Sequence, residues 1–269
     1  MKILNGLAIA GYIKERQVRE VNRILKTSDV IPKLAIVQCR DDPIISTYIR
    51  LKQKYGSDIS VIVDVHRIDQ SKATQLIKEL NHDKSVNGII VQLPLDNPSE
   101  TEDIVNLVLP SKDVDALGKR SIFDPATPTA ILWLLAGYNI DLNNKKILII
   151  GNGRLVGRPL STMLKKSGFD VTVADSKTED LKKLSLSSDI IITATGSPAI
   201  LSSDMIKRGA VVVDAGVATD RAKRVGDLDE TVYKREDLTI TPKLGGVGPL
   251  TICSLFANVI KSAQKLSAK

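Results

Sequence analysis

The stretch KKILIIGNGRLVGRP, residues 145–159, decides how the chain folds. An apolar run of strand length passes straight into glycines and then into a helix. Gly151 permits the tight turn after the strand, and Gly153 lets backbone approach a pyrophosphate. The helix starting near Val156 and Gly157 turns free N–H groups toward that anion. The spacing is G-x-G-x-x-x-G, one residue longer than the usual dinucleotide fingerprint, and a lone glycine turn is weak evidence. Here the strand before it, the helix after it and a further strand at 170–174 agree, which favours nucleotide binding over a bare turn.

Neighbouring residues refine that reading. An acidic residue at the end of the second strand binds the ribose diol and repels a 2′-phosphate. Asp175 stands at that place and points to NAD. Ser176 and Lys177 follow it, and Asn152 and Arg154 lie in the glycine turn. A hydroxyl, an ammonium and a guanidinium suit a 2′-phosphate, so these residues leave NAD and NADP both open. ATGSP (194–198) and DAGVA (214–218) close the next two strands. Their small residues, Thr195 and Gly196, then Gly216 and Val217, stand where a nucleotide lies in this architecture. The plain alternative for each is an ordinary strand-to-helix turn.

Outward from this motif, apolar runs alternate with amphipathic ones. Helical spacing covers 7–25, 43–55, 73–80, a short stretch at 102–109, the segment after Pro128, and 251–266. Strand-length apolar runs cover 33–39, 59–65, 88–92, 145–150, 170–174, 189–194 and 210–214. Strands apolar on both faces and separated by helices make a parallel sheet covered by helices. The expected fold is α/β with two domains. Residues 1–122 plus 250–269 form a substrate domain, and 123–249 form a Rossmann-type dinucleotide-binding domain. The Pro-, Asp- and Ser-rich stretch 93–128 reads as a lid or inter-domain segment. The last helix carries Leu255, Phe256, Val259 and Ile260 on one side and is expected to dock on the first domain.

Composition narrows the function. The 269 residues are 43% hydrophobic and 26% charged, which is ordinary globular usage and excludes a disordered or disulfide-stapled chain. Lys and Arg number 38 against 31 Asp and Glu, a net charge of +7 that suits an anionic ligand. Aromatics at 3% argue against single-stranded nucleic acid, whose bases stack on rings. Cys39, Cys253, His66 and His82 are isolated and offer no metal-ligand spacing, so no metal is expected. No apolar run approaches the roughly 18 residues of a membrane helix. No membrane association and a cytoplasmic location are expected.

Four further segments bear possible chemistry. Tyr48 and Lys52 lie one helical turn apart. Most lysines at such spacing are solvated surface charges. In a cleft, a tyrosine beside the lysine desolvates the ammonium and lowers its pKa, making an acid or base. GIIVQLPL (88–95) places Gln92 at the end of a buried strand, stopped by Pro94. PSKDVDA (110–116) carries Asp113 and Asp115 in a loop, where acids are usually solvated or capping. TPKLGGVGPLT (241–251) has three glycines and two prolines, a shaped backbone that suits a flat heterocycle or is a plain loop.

Taken together, KDVDA followed by PATP, GIIVQLPL, VGRP and TPKLGGVGPLT resemble, in order and spacing, the methylenetetrahydrofolate dehydrogenase/cyclohydrolase family over nearly the whole chain. The resemblance implies two α/β domains with a cleft between them and a homodimer. It implies oxidation of 5,10-methylenetetrahydrofolate with a nicotinamide nucleotide, then hydrolysis of the methenyl product to 10-formyltetrahydrofolate. The partners are thus a folate and a nicotinamide nucleotide. The family's catalytic lysine falls on Lys52, its stacking tyrosine on Tyr48, its lysine-positioning glutamine on Gln92 and its pterin-binding aspartate on Asp115. The folate subsite extends by the same resemblance to Leu93, Pro94, Gly245, Gly246 and Pro249. Bifunctional members mostly use NADP, so NADP is the expected cofactor, with NAD as the alternative and Ser176 and Lys177 as its phosphate contacts.

Departures are visible. Ile45 stands where the family often has serine, Ala116-Leu117-Gly118 replace Gly-Phe-His, and Asn152 replaces a common arginine. None removes Lys52, Gln92 or Asp115. Rival readings are a nucleotide-sensing binding protein, an NAD-preferring dehydrogenase without hydrolase activity, and a small-acid dehydrogenase. The first gives no reason for Tyr48, Lys52, Gln92 and Asp115 to occur together. The last wants an acid–base Lys–Asp pair, and no Asp follows Lys52 suitably.

Overall fold

The structure is a computed structural model that describes residues 1–28, 30–216, 218–220 and 223–267. In chain order the elements are β1 (Lys2–Ile3), α1 (Gly6–Ser28), β2 (Lys33–Gln38), α2 (Pro43–Asp58), β3 (Ile62–Arg67), α3 (Ala73–His82), β4 (Gly88–Gln92), α4 (Thr101–Val105), α5 (Ala126–Gly137) and β5 (Lys146–Ile150). They continue with α6 (Gly157–Lys166), β6 (Asp170–Ala174), α7 (Leu181–Ser187), β7 (Ile190–Thr193), β8 (Val211–Asp214), β9 (Ala218–Asp220), β10 (Lys223–Val225), β11 (Thr239–Ile240) and α8 (Val247–Ser267). The chain divides into two compact units.

One unit comprises Met1–Ala10 and Thr127–Thr251. Its sheet has the order β1-β11-β8-β7-β5-β6, and every neighbouring pair is parallel. Ile147–Ile150 and Ile190–Ile192 are buried throughout, as strands covered on both faces must be. Counted from β5, the first five strands have the doubly wound order 2-1-3-4-5. The order reverses between β5 and β7, and ligands of this architecture sit at the carboxyl ends of such a strand pair. Residues 1–10 group here because β1 pairs with β11 and Leu4 is fully buried, whereas the sequence division begins the other domain at residue 1.

The other unit comprises Gly11–Ala126 and Ile252–Lys269. Its sheet is β3-β2-β4, again parallel. Alternation along β2 separates two cores. Leu34 and Ile36 pack with Val21, Ile45, Ile49 and the α8 residues Leu255, Phe256, Val259 and Ile260. Ala35 and Val37 face Ile77, Leu80, Ile104 and Val105. The apolar face of the last helix thus docks on this unit.

The segment 93–128 is not a lid. Ile104, Val105, Val108, Val114 and Phe123 are buried in the two cores of this unit, so its polar composition reflects turns between short anchored pieces. The helix in it stops at Val105 rather than near 109. The strand expected from 59 begins at Ile62, because the N–H of Ile59 still closes α2 on the carbonyls of Tyr55 and Gly56.

Candidate functional site

Helix α2 starts at Asp42, whose carboxylate accepts the N–H groups of Ile44 (2.7 Å) and Ile45 (3.2 Å). That cap, with Pro43 in the first turn, fixes where the helix begins. Ile45 and Ile49 turn into the core, which places Tyr48 and Lys52 together on a neighbouring, half-buried stripe. Lys52 Nζ donates to Gln92 Oε1 at 2.8 Å. The Gln92 amide nitrogen donates to the Leu93 carbonyl at 3.0 Å, which turns its oxygen toward the lysine. Leu93 is half-buried, Pro94 is exposed, and the peptide bond joining them is cis.

Burial pushes the Lys52 ammonium below the usual lysine range, and the charge of Asp115 opposes that fall. Burial raises the Asp115 carboxyl, and Lys52 holds it down. The structure therefore brings Lys52, Gln92 and Asp115 into one electrostatic group.

The loop presenting Asp115 is built by its neighbours. Lys112 is buried, and its Nζ donates to the carbonyls of Leu80 (2.8 Å) and Asp83 (2.6 Å), closing the end of α3. The Lys112 carbonyl accepts Ile89 N–H at 2.7 Å, which ties the loop to β4. The Asp113 carboxylate accepts Gly118 N–H (2.8 Å) and Leu117 N–H (3.2 Å). Val114 is fully buried. Burial pushes the Asp113 carboxyl up to about 6. Ala116, which replaces the family's glycine, holds the left-handed φ of +55°. The sequence reading did not assign Lys112 or Asp113 a role; the signal was a Lys-Asp pair directly before an apolar valine.

In the other unit, Gly151 has φ +107° and donates its N–H to the Ala174 carbonyl at 2.8 Å. A Cβ there would meet the Ala194 carbonyl oxygen at 2.5 Å, and one at Gly157 would overlap the carbonyl oxygen of Gly151. Both glycines are thus required by close backbone approach at the ends of β5 and β7. A Cβ at Gly153 would meet nothing within 4 Å, so packing does not demand glycine at that position. Val156 caps α6 with no side-chain hydrogen bond; Pro159 has no N–H, and the N–H groups of Arg158 and Leu160 donate to the carbonyls of Gly153 (3.1 Å) and Val156 (2.9 Å). Asn152 is exposed and Arg154 half-buried.

Asp175, Ser176 and Lys177 are exposed just beyond β6. The Asp175 carboxylate accepts Lys177 N–H at 3.0 Å, and its own N–H donates to Thr178 Oγ1 at 2.9 Å, a closed local turn. Thr195 is half-buried and Gly196 exposed with φ +67°. Gly216 is small because a Cβ would overlap the Asp227 carboxylate. Val217 lies outside the described residues. Gly245, Gly246 and Pro249 also fall in this unit. Gly245 holds φ +83°, its carbonyl accepts Leu7 N–H at 3.1 Å, and a Cβ at Gly6 would overlap the Gly246 carbonyl oxygen.

Among the described residues no three His, Cys, Asp or Glu side chains cluster as a metal site, and no helix is long and apolar enough to cross a membrane.

Compared with known families, residues 4–115 match the tetrahydrofolate dehydrogenase/cyclohydrolase catalytic domain, and 125–267 match the NAD(P)-binding domain of the same family. The chain belongs to the tetrahydrofolate dehydrogenase/cyclohydrolase family. It is an enzyme of one-carbon folate chemistry, oxidoreductase and hydrolase in one polypeptide. A similar relative is the bifunctional protein FolD of Campylobacter jejuni strain RM1221, 39% identical over 98% of this chain and 99% of its own. A crystal structure of bifunctional FolD from Campylobacter jejuni superposes with a TM-score of 0.92 at 36% identity, covering 98% of this chain and 99% of that one. The dehydrogenase–cyclohydrolase of Trypanosoma brucei, crystallised with NADP and an inhibitor, superposes with a TM-score of 0.91 at 27% identity, covering 98% and 97%. The family's NAD(P)-binding model takes in α8, although residues from 252 onward pack on the unit that carries Lys52.

Proposed function

We propose that this enzyme oxidises 5,10-methylenetetrahydrofolate with NADP and hydrolyses the methenyl product, with Lys52 as the proton-handling residue. The observation carrying the proposal is the 2.8 Å hydrogen bond from Lys52 to Gln92 within the field of Asp115. The unit with β2–β4 supplies the folate chemistry, and the unit with β5–β8 holds the nucleotide.

The nucleotide fits the second unit on structural grounds. The strand order reverses at β5 and β7, close backbone approach requires Gly151 and Gly157 at that point, and Gly153 has room for a phosphate. The nicotinamide, when bound, accepts a hydride from the one-carbon bridge. Residues 151–157 and the 194–196 turn hold the pyrophosphate and ribose, and Ser176 and Lys177 hold the 2′-phosphate. The Trypanosoma brucei relative supports NADP, having been crystallised with it.

Hydride transfer needs orientation more than a base. Tyr48 supplies a ring to stack on the pterin. Leu93 and Pro94 complete the folate contacts of the unit with β2–β4 in this proposal. An anionic Asp115 accepts paired N–H bonds from the pterin; burial raises its carboxyl and the charge of Lys52 opposes that rise. The methenyl product is cationic at its one-carbon centre, so water adds readily once a proton is taken. Lys52 with a depressed pKa has a neutral fraction to take that proton, and Gln92 fixes where its nitrogen lies. A homodimer and a cytoplasmic location, which the resemblance and composition suggest, belong to the same proposal.

The test is absorbance of the methenyl compound, formed with NADP or NAD and then followed through its decay. Formation without enzyme-dependent decay leaves only the dehydrogenase; absence of both formation and decay overturns the proposal.

A further inference from the structure

Two carboxylates with no role assigned above, Asp214 half-buried and Asp227 buried, lie beside the carboxyl ends of β7 and β8 at the proposed nucleotide site. Asp214 ends β8. Its carboxylate accepts the Thr193 hydroxyl (3.1 Å), Gly216 N–H (3.0 Å) and Asp227 N–H (3.0 Å). Asp227 follows the β9–β10 hairpin and is fully buried. Its Oδ2 accepts Thr195 N–H at 2.7 Å, and its Oδ1 has no hydrogen-bond partner among the described residues. The local chain is shaped around both groups: a Cβ at Gly226 would overlap the Asp214 carboxylate, and one at Gly216 the Asp227 carboxylate.

Burying a carboxylate with one oxygen unpaired is unfavourable, and an apolar residue would serve a sheet core better. What Asp227 does is grip one backbone amide. That amide belongs to Thr195, in the turn after β7, at the strand pair where the sheet order reverses. Asp214 in turn holds Asp227 by its backbone and β7 by Thr193. The two carboxylates form a chain of contacts from β8 to the turn.

We infer that Asp227 is a positioning residue for the nucleotide, setting the 194–196 turn through the Thr195 N–H while Asp214 fixes Asp227. The inference rests on the nucleotide site proposed above. It differs from a purely structural role in one respect: losing the grip on Thr195 changes nucleotide affinity in protein that is still folded.

The experiment uses the full chain and the variants Asp227→Ala, Asp227→Ser and Asp227→Asn. KM for NADP and kcat are read in the dehydrogenase reaction, and hydrolysis of the methenyl compound without nucleotide is the internal control. Asp227→Ala removes a charged hydrogen-bond acceptor and is expected to raise KM for NADP by about tenfold or more, with hydrolysis unchanged. Asp227→Ser, whose hydroxyl is too short to replace the contact, is expected to do the same and stands in if the alanine variant does not fold. Asp227→Asn keeps an acceptor oxygen and is expected to restore most of the affinity. An alanine or serine variant with the parent's KM overturns the inference alone, as does equal loss of nucleotide use and hydrolysis. A parent that uses neither nucleotide overturns the underlying site and the inference with it.

Discussion

Lys52 and Gln92 are joined across 40 residues of chain by a 2.8 Å hydrogen bond, the lysine from the middle of α2 and the glutamine from the end of β4. The amide is held from its other side by the Leu93 carbonyl, so it receives the ammonium rather than competing for it. The pair lies beside a core whose burial already disfavours the charged lysine. This arrangement yields a fixed lysine nitrogen whose proton is held less tightly than that of an ordinary lysine.

Replacing Lys52 with methionine preserves the stem and removes the amine. Hydrolysis of the methenyl compound is expected to fall at least about 100-fold, the lower range for a general base. Gln92→Leu is expected to lower the same rate less, since it frees the lysine without deleting it. A Lys52→Met variant that hydrolyses at the parent rate assigns the proton step elsewhere.

Asp115 is expected to show two separable effects. Its loss in Asp115→Ala removes a charge-assisted pair with the pterin, about 1.5–3 kcal/mol or tenfold and more in folate affinity, and leaves nucleotide affinity alone. It also removes the charge that raises the Lys52 pKa. Lys52 then stays neutral to lower pH, and the acidic limb of hydrolysis kcat moves toward lower pH. An unmoved or alkaline-shifted limb separates the titrating group from Lys52.

Asp113 predicts a pH dependence of stability. Its carboxyl is raised by burial to about 6 in the fold, against an ordinary 3.8. The folded state therefore binds the extra proton, and this contribution is fully present below about pH 4. It is lost as pH rises through about 6, and the whole effect is worth about 3 kcal/mol. Thermal melts of the parent against Asp113→Asn, from pH 4 to pH 7, are expected to show the parent losing stability relative to the variant over that window. A constant difference across the window removes Asp113 as the cause.

Much of this was legible in sequence. Ile147–Ile150 is apolar without alternation because both faces are covered, and such runs are unambiguous. Gly151 and Gly157 were readable because only glycine allows the backbone contacts found there. The pairing of Lys52 with Gln92 followed only from the family resemblance, since residues 40 apart in sequence carry no spacing signal. β1 and β11 were missed because two-residue strands have no period. Asp113 and Asp227 were missed because a buried aspartate holding backbone N–H groups looks, in sequence, like a solvated one. The stretch 93–128 misled by composition: its polar residues make turns, while a few apolar ones anchor it.

The last prediction is the choice of nucleotide. An aspartate at the end of the second strand ordinarily takes the ribose diol and excludes a 2′-phosphate. Asp175 has that place, but its carboxylate accepts Lys177 N–H at 3.0 Å within a turn closed by Thr178. A carboxylate engaged with its own loop is a weaker competitor for a ribose. The same turn exposes Ser176 and the Lys177 side chain, one hydroxyl and one ammonium, beside the strand end. Asn152 removes a guanidinium common in the family, which limits the preference. NADP is therefore expected to be preferred modestly, and Lys177→Ala is expected to lower kcat/KM with NADP by roughly tenfold at most, the value of one exposed charge-assisted contact. Activity with NAD is expected to change little. The measurement is kcat/KM with each nucleotide for the parent and for Lys177→Ala. A parent that prefers NAD, or a variant that loses both activities equally, returns Asp175 to the ribose and removes Lys177 from the site.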